Sequence, residues 1–163
     1  MSARLTATAQ DYIGRTVDYL AFDNAKATGD ALLDQALIQD GQSGALITGI
    51  EKLVQRFLLE LLTEQGSLEY QPDRGTFFMT SLRHGIVQTS ADLFSEFSAA
   101  ELDVKERLKL EEDFENDPED ERYAEAVLLS ASLFGDTATL SIQVSSIAGE
   151  SRTVIYPLRI SAV

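Results

Sequence analysis

Apolar residues change their spacing along the chain, and each change marks a different kind of element. Residues Met1 to Arg15 are polar and rich in Ala and Thr, which predicts a short helix or an arm that orders against something else. The stretch "TVDYLAF" (Thr16 to Phe22) reads as a short strand or turn region, and "DNAKATGD" as a loop. Asp40-Gly41 is a turn signal, so Leu37 and Ile38 end one strand and Leu46 and Ile47 begin another element.

From Thr48 the period becomes helical. Leu46, Ile50, Leu53, Val54, Phe57, Leu58, Leu61 and Leu62 recur at three- and four-residue steps and form one wide apolar stripe, with Lys52, Gln55, Arg56 and Glu60 elsewhere on the helix. Gly66, just beyond Thr63, is the expected stop. Pro72-Asp73-Arg74-Gly75 then supplies turn chemistry, since proline presets φ and glycine tolerates a positive φ. A second, less regular helix is predicted within Leu82 to Phe97. Ser98 with Glu101 forms an S-x-x-E capping signature that opens a third helix through roughly Phe114. Glu111, Glu112, Asp113 and Glu115 crowd its C-terminus, where the helix dipole disfavours negative charge, so that end is expected to fray.

The last forty or so residues have period two. Breaks at Gly135-Asp136 and Ala148-Gly149-Glu150 leave three runs that predict an antiparallel meander. Leu140, Ile142 and Val144 share one face of the second run, and Val154, Tyr156, Leu158 and Ile160 one face of the third. Pro157 cannot donate a ladder hydrogen bond, so the final strand is expected at a sheet edge or bulged there, and open to another strand. The predicted class is α+β, with helices packed on one face of a small antiparallel sheet that ends in a C-terminal meander. Residues 1–47 form an N-terminal extension and 48–163 the main domain.

Composition narrows the partners. The chain has 163 residues, 44% of them hydrophobic, which suits one packed core. A formal net charge of -14 and a pI near 4.3 oppose a surface built to neutralise phosphates, so nucleic acid and anionic membranes are not expected partners. No run approaches the roughly 18 apolar residues of a spanning helix, and Met1 to Tyr12 holds no apolar signal core. Cysteine is absent, which excludes disulfides and thiolate metal sites and fits a reducing compartment.

Candidate chemistry is sparse. His84 is the only histidine and reads as a surface or helix-cap residue rather than a general base. Asp113, Glu115 and Asp117 alternate like the start of a calcium loop, but Pro118 stands where such a loop needs glycine, so a solvated acidic loop is expected. The acids from Glu111 to Glu121 offer no isolated pair in an apolar pocket for glycoside hydrolysis. "GQSG" (Gly41 to Gly44) lacks the Lys-Ser/Thr ending of a phosphate loop, and Ser43 and Ser67 sit in no nucleophile elbow. No catalytic residue, metal or cofactor is assigned.

The stretch "TGIEKLVQRFLLELLTEQGSLEYQPDRGTFF" (Thr48 to Phe78) resembles the signature of the baseplate-wedge, sheath-initiator family of contractile phage tails, once described as lysozyme-like and related to a baseplate component of type VI secretion systems. The matching residues are the apolar helix, Leu62-Thr63-Glu64-Gln65-Gly66, and Pro72-Asp73-Arg74-Gly75. Tyr156-Pro157 matches the family's late Tyr-Pro. The family's Glu-Pro-Arg element is not contiguous here; "NDPEDERY" offers Pro118, Glu121 and Arg122 over five positions. The resemblance spans roughly Thr48 to Ile160. It implies a non-enzymatic scaffold in the virion's tail baseplate, assembled in the host cytoplasm. Its implied partners are wedge proteins, the sheath protein and tube-proximal baseplate proteins, and its implied partner-binding residues are Pro118, Glu121, Arg122, Val154, Tyr156, Pro157 and Arg159. The rival classes are a regulatory adaptor of the same fold, which gene neighbourhood would separate, and a muramidase-like hydrolase.

Overall fold

Residues 16–19 and 46–160 are described by the computed structural model. The expectations for Met1 to Arg15, the 23–30 loop, Leu37, Ile38, the Asp40-Gly41 turn and Ser43 lie outside them. Two short strands, β1 (Asp18–Tyr19) and β2 (Leu46–Ile47), pair antiparallel and lead into helix α1 (Ile50–Leu62). Helices α2 (Phe78–Arg83) and α3 (Ser90–Glu111) follow, then a 3-10 turn (Glu119–Glu121) and strands β3 (Tyr123–Phe134), β4 (Thr137–Ser146) and β5 (Ser151–Arg159).

The meander forms where its alternation predicts. Its order is β3-β4-β5, antiparallel throughout, with breaks at both glycine-bearing turns. Every second residue of β4, from Ala138 through Leu140, Ile142 and Val144, is buried, and β5 buries Val154, Tyr156 and Leu158 on the same face. The helices cover that face: α1 packs on β4 and β5, and α3 on β3. Leu53, Val54, Phe57, Leu58 and Leu61 of the α1 stripe are buried there. Phe57 stacks on Tyr123, centroids 5.8 Å apart, and leans on Phe97 at 6.3 Å, which meets Phe78 edge-on. The fold is therefore α+β, with the helices on one face of a small antiparallel sheet.

The helix boundaries need correction. α1 stops at Leu62, before Gly66, because the chain at Thr63 turns extended and enters a short parallel bridge between Glu64 and Thr76. The Leu82 to Phe97 helix is two helices: α2 ends at His84, and Gly85, at φ 67°, turns the chain away. α3 starts eight residues before Ser98. Thr89 Oγ1 accepts from Asp92 N–H at 3.1 Å while Asp92 accepts from Thr89 N–H at 2.8 Å, a capping box written T-x-x-D. Ser98 sits inside the helix and donates to the Phe94 carbonyl, and Glu101 accepts from the Tyr123 hydroxyl.

The acidic end of α3 is held by tertiary partners. Glu111 lies 3.2 Å from Arg74, 3.6 Å from Arg56 and 3.8 Å from Arg107, and Glu112 accepts from Tyr123 N–H at 2.6 Å. These cations and that amide offset the dipole that disfavours negative charge at a helix C-terminus. The acidic segment is not uniformly solvated either, since Asp120 and Glu121 are buried. On α1, Gln55 and Glu60 are likewise buried, because β1 and the 64–76 turn cover helix faces that periodicity leaves outside the stripe.

Phe57 is fully buried between the sheet and two other aromatic rings. Phe57→Ala should therefore cost about 3–5 kcal/mol in denaturant unfolding. A loss below about 1 kcal/mol would place the ring outside the core.

Candidate docking edge

Of the seven residues singled out from the sequence, five fall into two places. Pro118, Glu121 and Arg122 surround the 3-10 turn. This segment is bonded to the β4–β5 connection, with Ile147 N–H donating to the Arg122 carbonyl and Ala148 N–H to that of Glu119. Pro157 and Arg159 lie at the other end of β5, where Arg159 Nε approaches Asp136 at 3.5 Å. Eight strand steps from Ser151 to Arg159 span about 27 Å, so the two groups form no single site. Val154 and Tyr156 lie between them and point into the core. Burial raises the Tyr156 phenol above its ordinary pKa, as expected for a packing residue.

β5 pairs only with β4 among the described residues. The phase of that pairing is set at both ends: Ser146 N–H donates to the Glu150 carbonyl at 2.8 Å, and Ile160 N–H to the Asp136 carbonyl at 2.6 Å. Antiparallel pairs alternate between bonded and non-bonded, so Arg152, Val154, Tyr156 and Leu158 exchange bonds with β4. The backbone of Ser151, Thr153, Ile155, Pro157 and Arg159 then points away from the sheet. Pro157 sits opposite Thr139 in this outward set, where its missing N–H costs the β4 ladder nothing. The sheet's other margin differs. β3 carries register shifts between Tyr123 and Glu125 and between Leu128 and Ser130, and such bulges bend an edge and discourage pairing. β5 runs without one.

Glu121 is 2% exposed and acts inside the molecule. One oxygen accepts from Gly49 N–H at 3.1 Å and from Thr48 Oγ1 at 3.0 Å, at the N-terminus of α1. The other accepts from Lys52 Nζ at 2.9 Å and from Thr16 Oγ1, and Lys52 also bonds Thr16. One carboxylate thus joins the 3-10 turn, α1 and the residue two before β1, across the boundary between residues 47 and 48. Gln55 Nε2 adds a second tie at 3.0 Å to Asp18. Burial alone would raise the Glu121 pKa, but the bonds from Thr16, Lys52, Gly49 and Thr48 outweigh it and hold the pKa below the ordinary value.

Arg122 is mostly buried, its guanidinium 5.6 Å above the Phe114 ring and 3.6 Å from Glu119. Pro118 opens the turn, its carbonyl accepting from Glu121 N–H. Any influence of Glu121 on a partner is therefore indirect, through the turn it anchors. Thr16, Thr48, Gly49 and Lys52 were not legible as its partners, since local periodicity carries no signal for a contact 72 residues away. His84 is the exposed C-terminal cap of α2, its Nδ1 2.8 Å from the Thr80 carbonyl. Among the described residues no group of three or more His, Asp or Glu side chains is placed to hold a metal ion, and no helix is long and apolar enough to cross a membrane.

No family model matches the chain, and no curated protein or solved structure matches it.

Glu121→Gln keeps the shape but turns a donor toward groups that themselves donate. The variant should lose about 1.5–3 kcal/mol at pH 7, the scale of hydrogen bonds to a charged group. Because the folded pKa is depressed, this contribution is present above the unfolded value of 4.5 and lost as pH falls through the folded one. Stability curves of wild type and variant should therefore draw together as pH falls below 4.5. A gap that never narrows as the solution is acidified below pH 4.5, up to acid unfolding, would show that ionised Glu121 is not the source.

Proposed function

We propose that this chain is a structural component of a contractile-tail baseplate, which docks on wedge proteins and templates sheath assembly through the outer edge of β5. The observation that carries the reading is the asymmetry of the sheet. One margin is bulged, whereas the other is a regular nine-residue strand whose only proline falls on an outward position. Such an edge suits strand addition, in which main-chain bonds supply affinity and alternating side chains supply register. The Thr48 to Phe78 resemblance and the retained Tyr156-Pro157 support the same reading. Purified protein is expected not to clear peptidoglycan, and reproducible clearing would favour the hydrolase class.

Proline scanning of β5 separates docking from folding. Arg159 has outward backbone, so Arg159→Pro removes a donor facing an added strand and leaves the β4 ladder intact. Leu158 has inward backbone, and Leu158→Pro breaks the sheet itself. One such bond is worth about 0.5–1.5 kcal/mol net, and an orphaned partner group costs about 1–3 kcal/mol. The expected outcome for Arg159→Pro is a folded protein and baseplates or tubes without ordered sheath. Arg159→Ala, which removes only the Asp136 pair, should assemble normally. Full-length sheath on Arg159→Pro would remove the strand-addition mechanism.

A further inference from the structure

The segment between α1 and α2 is built more firmly than a connection requires. Thr76 N–H donates to the Thr63 carbonyl at 2.9 Å, and Gln65 N–H returns to the Thr76 carbonyl at 3.1 Å, closing the loop at its neck. Within it, Gly66 N–H donates to the Pro72 carbonyl, Gln71 N–H to that of Leu68, and Arg74 N–H to that of Gln71. Buried Glu60 holds the neck from below, accepting from Gly75 N–H at 2.8 Å and from Arg74 Nε at 3.1 Å. Thr76, fully buried, donates its hydroxyl to the Leu61 carbonyl. At Gly75, φ is 87° and a Cβ would stand 2.2 Å from the Thr63 carbonyl oxygen, so only glycine fits.

This rigid frame displays apolar side chains to solvent. Tyr70 is 91% exposed and Leu68 42%. The charges around them divide by role. Arg74 is turned back onto Glu60 and Glu111, and Glu64 is paired with Arg83 at 2.7 Å. Glu69 and Asp73, on either side of Tyr70, are in no ion pair among the described residues.

We propose that the 64–75 loop is a preformed docking knob, separate from the β5 edge, whose Tyr70 ring enters an apolar socket rimmed by Lys or Arg on another protein. Tyrosine on a rigid loop gives a large contact area at little ordering entropy and is favoured among interface anchors. Glu69 and Asp73 fix the sign of the rim, since a basic rim attracts both carboxylates and an acidic one repels them. A second copy is a poor occupant. It would bring 27 acidic against 13 basic residues, and Arg56, Arg74, Arg83 and Arg107 are already engaged with Glu60, Glu64 and Glu111.

The test places p-benzoylphenylalanine at position 70 of the full chain and irradiates cells that produce it alongside its native neighbours. The expected result is a discrete adduct with a different protein, mapped to an apolar site with Lys or Arg beside it. Combined Glu69→Lys and Asp73→Lys should cut the yield at least about tenfold, while circular dichroism and thermal unfolding stay unchanged. Arg159→Pro should leave the adduct intact, which separates this surface from the β5 edge. No adduct above that from a control position on the outer face of β3, the exposed Ser132, would overturn the proposal. So would an adduct only with another copy of this chain, or one indifferent to the charge reversals.

Discussion

A carboxylate withdrawn from water must be met by donors on nearly every lone pair, and this protein meets that demand at both ends of α1. Glu121 satisfies the first turn of the helix through Gly49 and Thr48 while gathering Lys52 and Thr16. Near the other end, Glu60 receives Gly75 N–H and the Arg74 guanidinium. The apolar stripe pulls α1 against the sheet with a non-directional force. The two acids supply direction, fixing which turn of the helix meets the 3-10 turn and which meets the loop neck. β1, the 64–76 loop and the turn before β3 are all positioned from this one helix.

The same arrangement separates the surfaces available to partners. The core lies between the helices and the inner face of the sheet, so the β5 edge and the 64–75 loop carry little of the packing energy. Side chains of β5 that face inward, Val154 and Tyr156, are spent on the core, and the backbone of Ser151, Thr153, Ile155, Pro157 and Arg159 is turned away from β4. At the loop the reverse holds: the N–H groups of Gln65, Gly66, Ser67, Gln71, Arg74 and Gly75 are bonded internally, and the side chains of Leu68 and Tyr70 are presented. The first surface suits recognition by main-chain pairing, and the second suits recognition by an aromatic anchor.

Much of the architecture was legible in the chain itself. Alternation of Leu140, Ile142 and Val144, and of Val154, Tyr156 and Leu158, determined the meander and its inner face, because a strand's side-chain period is two wherever it lies. The three- and four-residue spacing of Leu53, Phe57 and Leu61 determined α1. Pro157 limited β5 to an edge or a bulge, since a proline cannot serve a ladder on both sides, and among the described residues β5 takes the edge. Helix starts were less secure: Thr89-x-x-Asp92 and Ser98-x-x-Glu101 read alike locally, and Gly85 together with the packing of Leu93 and Phe97 selected the first.

Only the tertiary structure decided the fate of the charges. A run from Glu111 to Glu121 looks uniformly solvated when neighbours in sequence are the only neighbours considered. Folding instead brings Arg56, Arg74 and Arg107 to Glu111, and Thr16, Gly49 and Lys52 to Glu121. Apolar burial follows local periodicity because the force behind it has no direction. The partner of a buried carboxylate is set by geometry to within an ångström or so, and that geometry exists only once distant segments have been packed together.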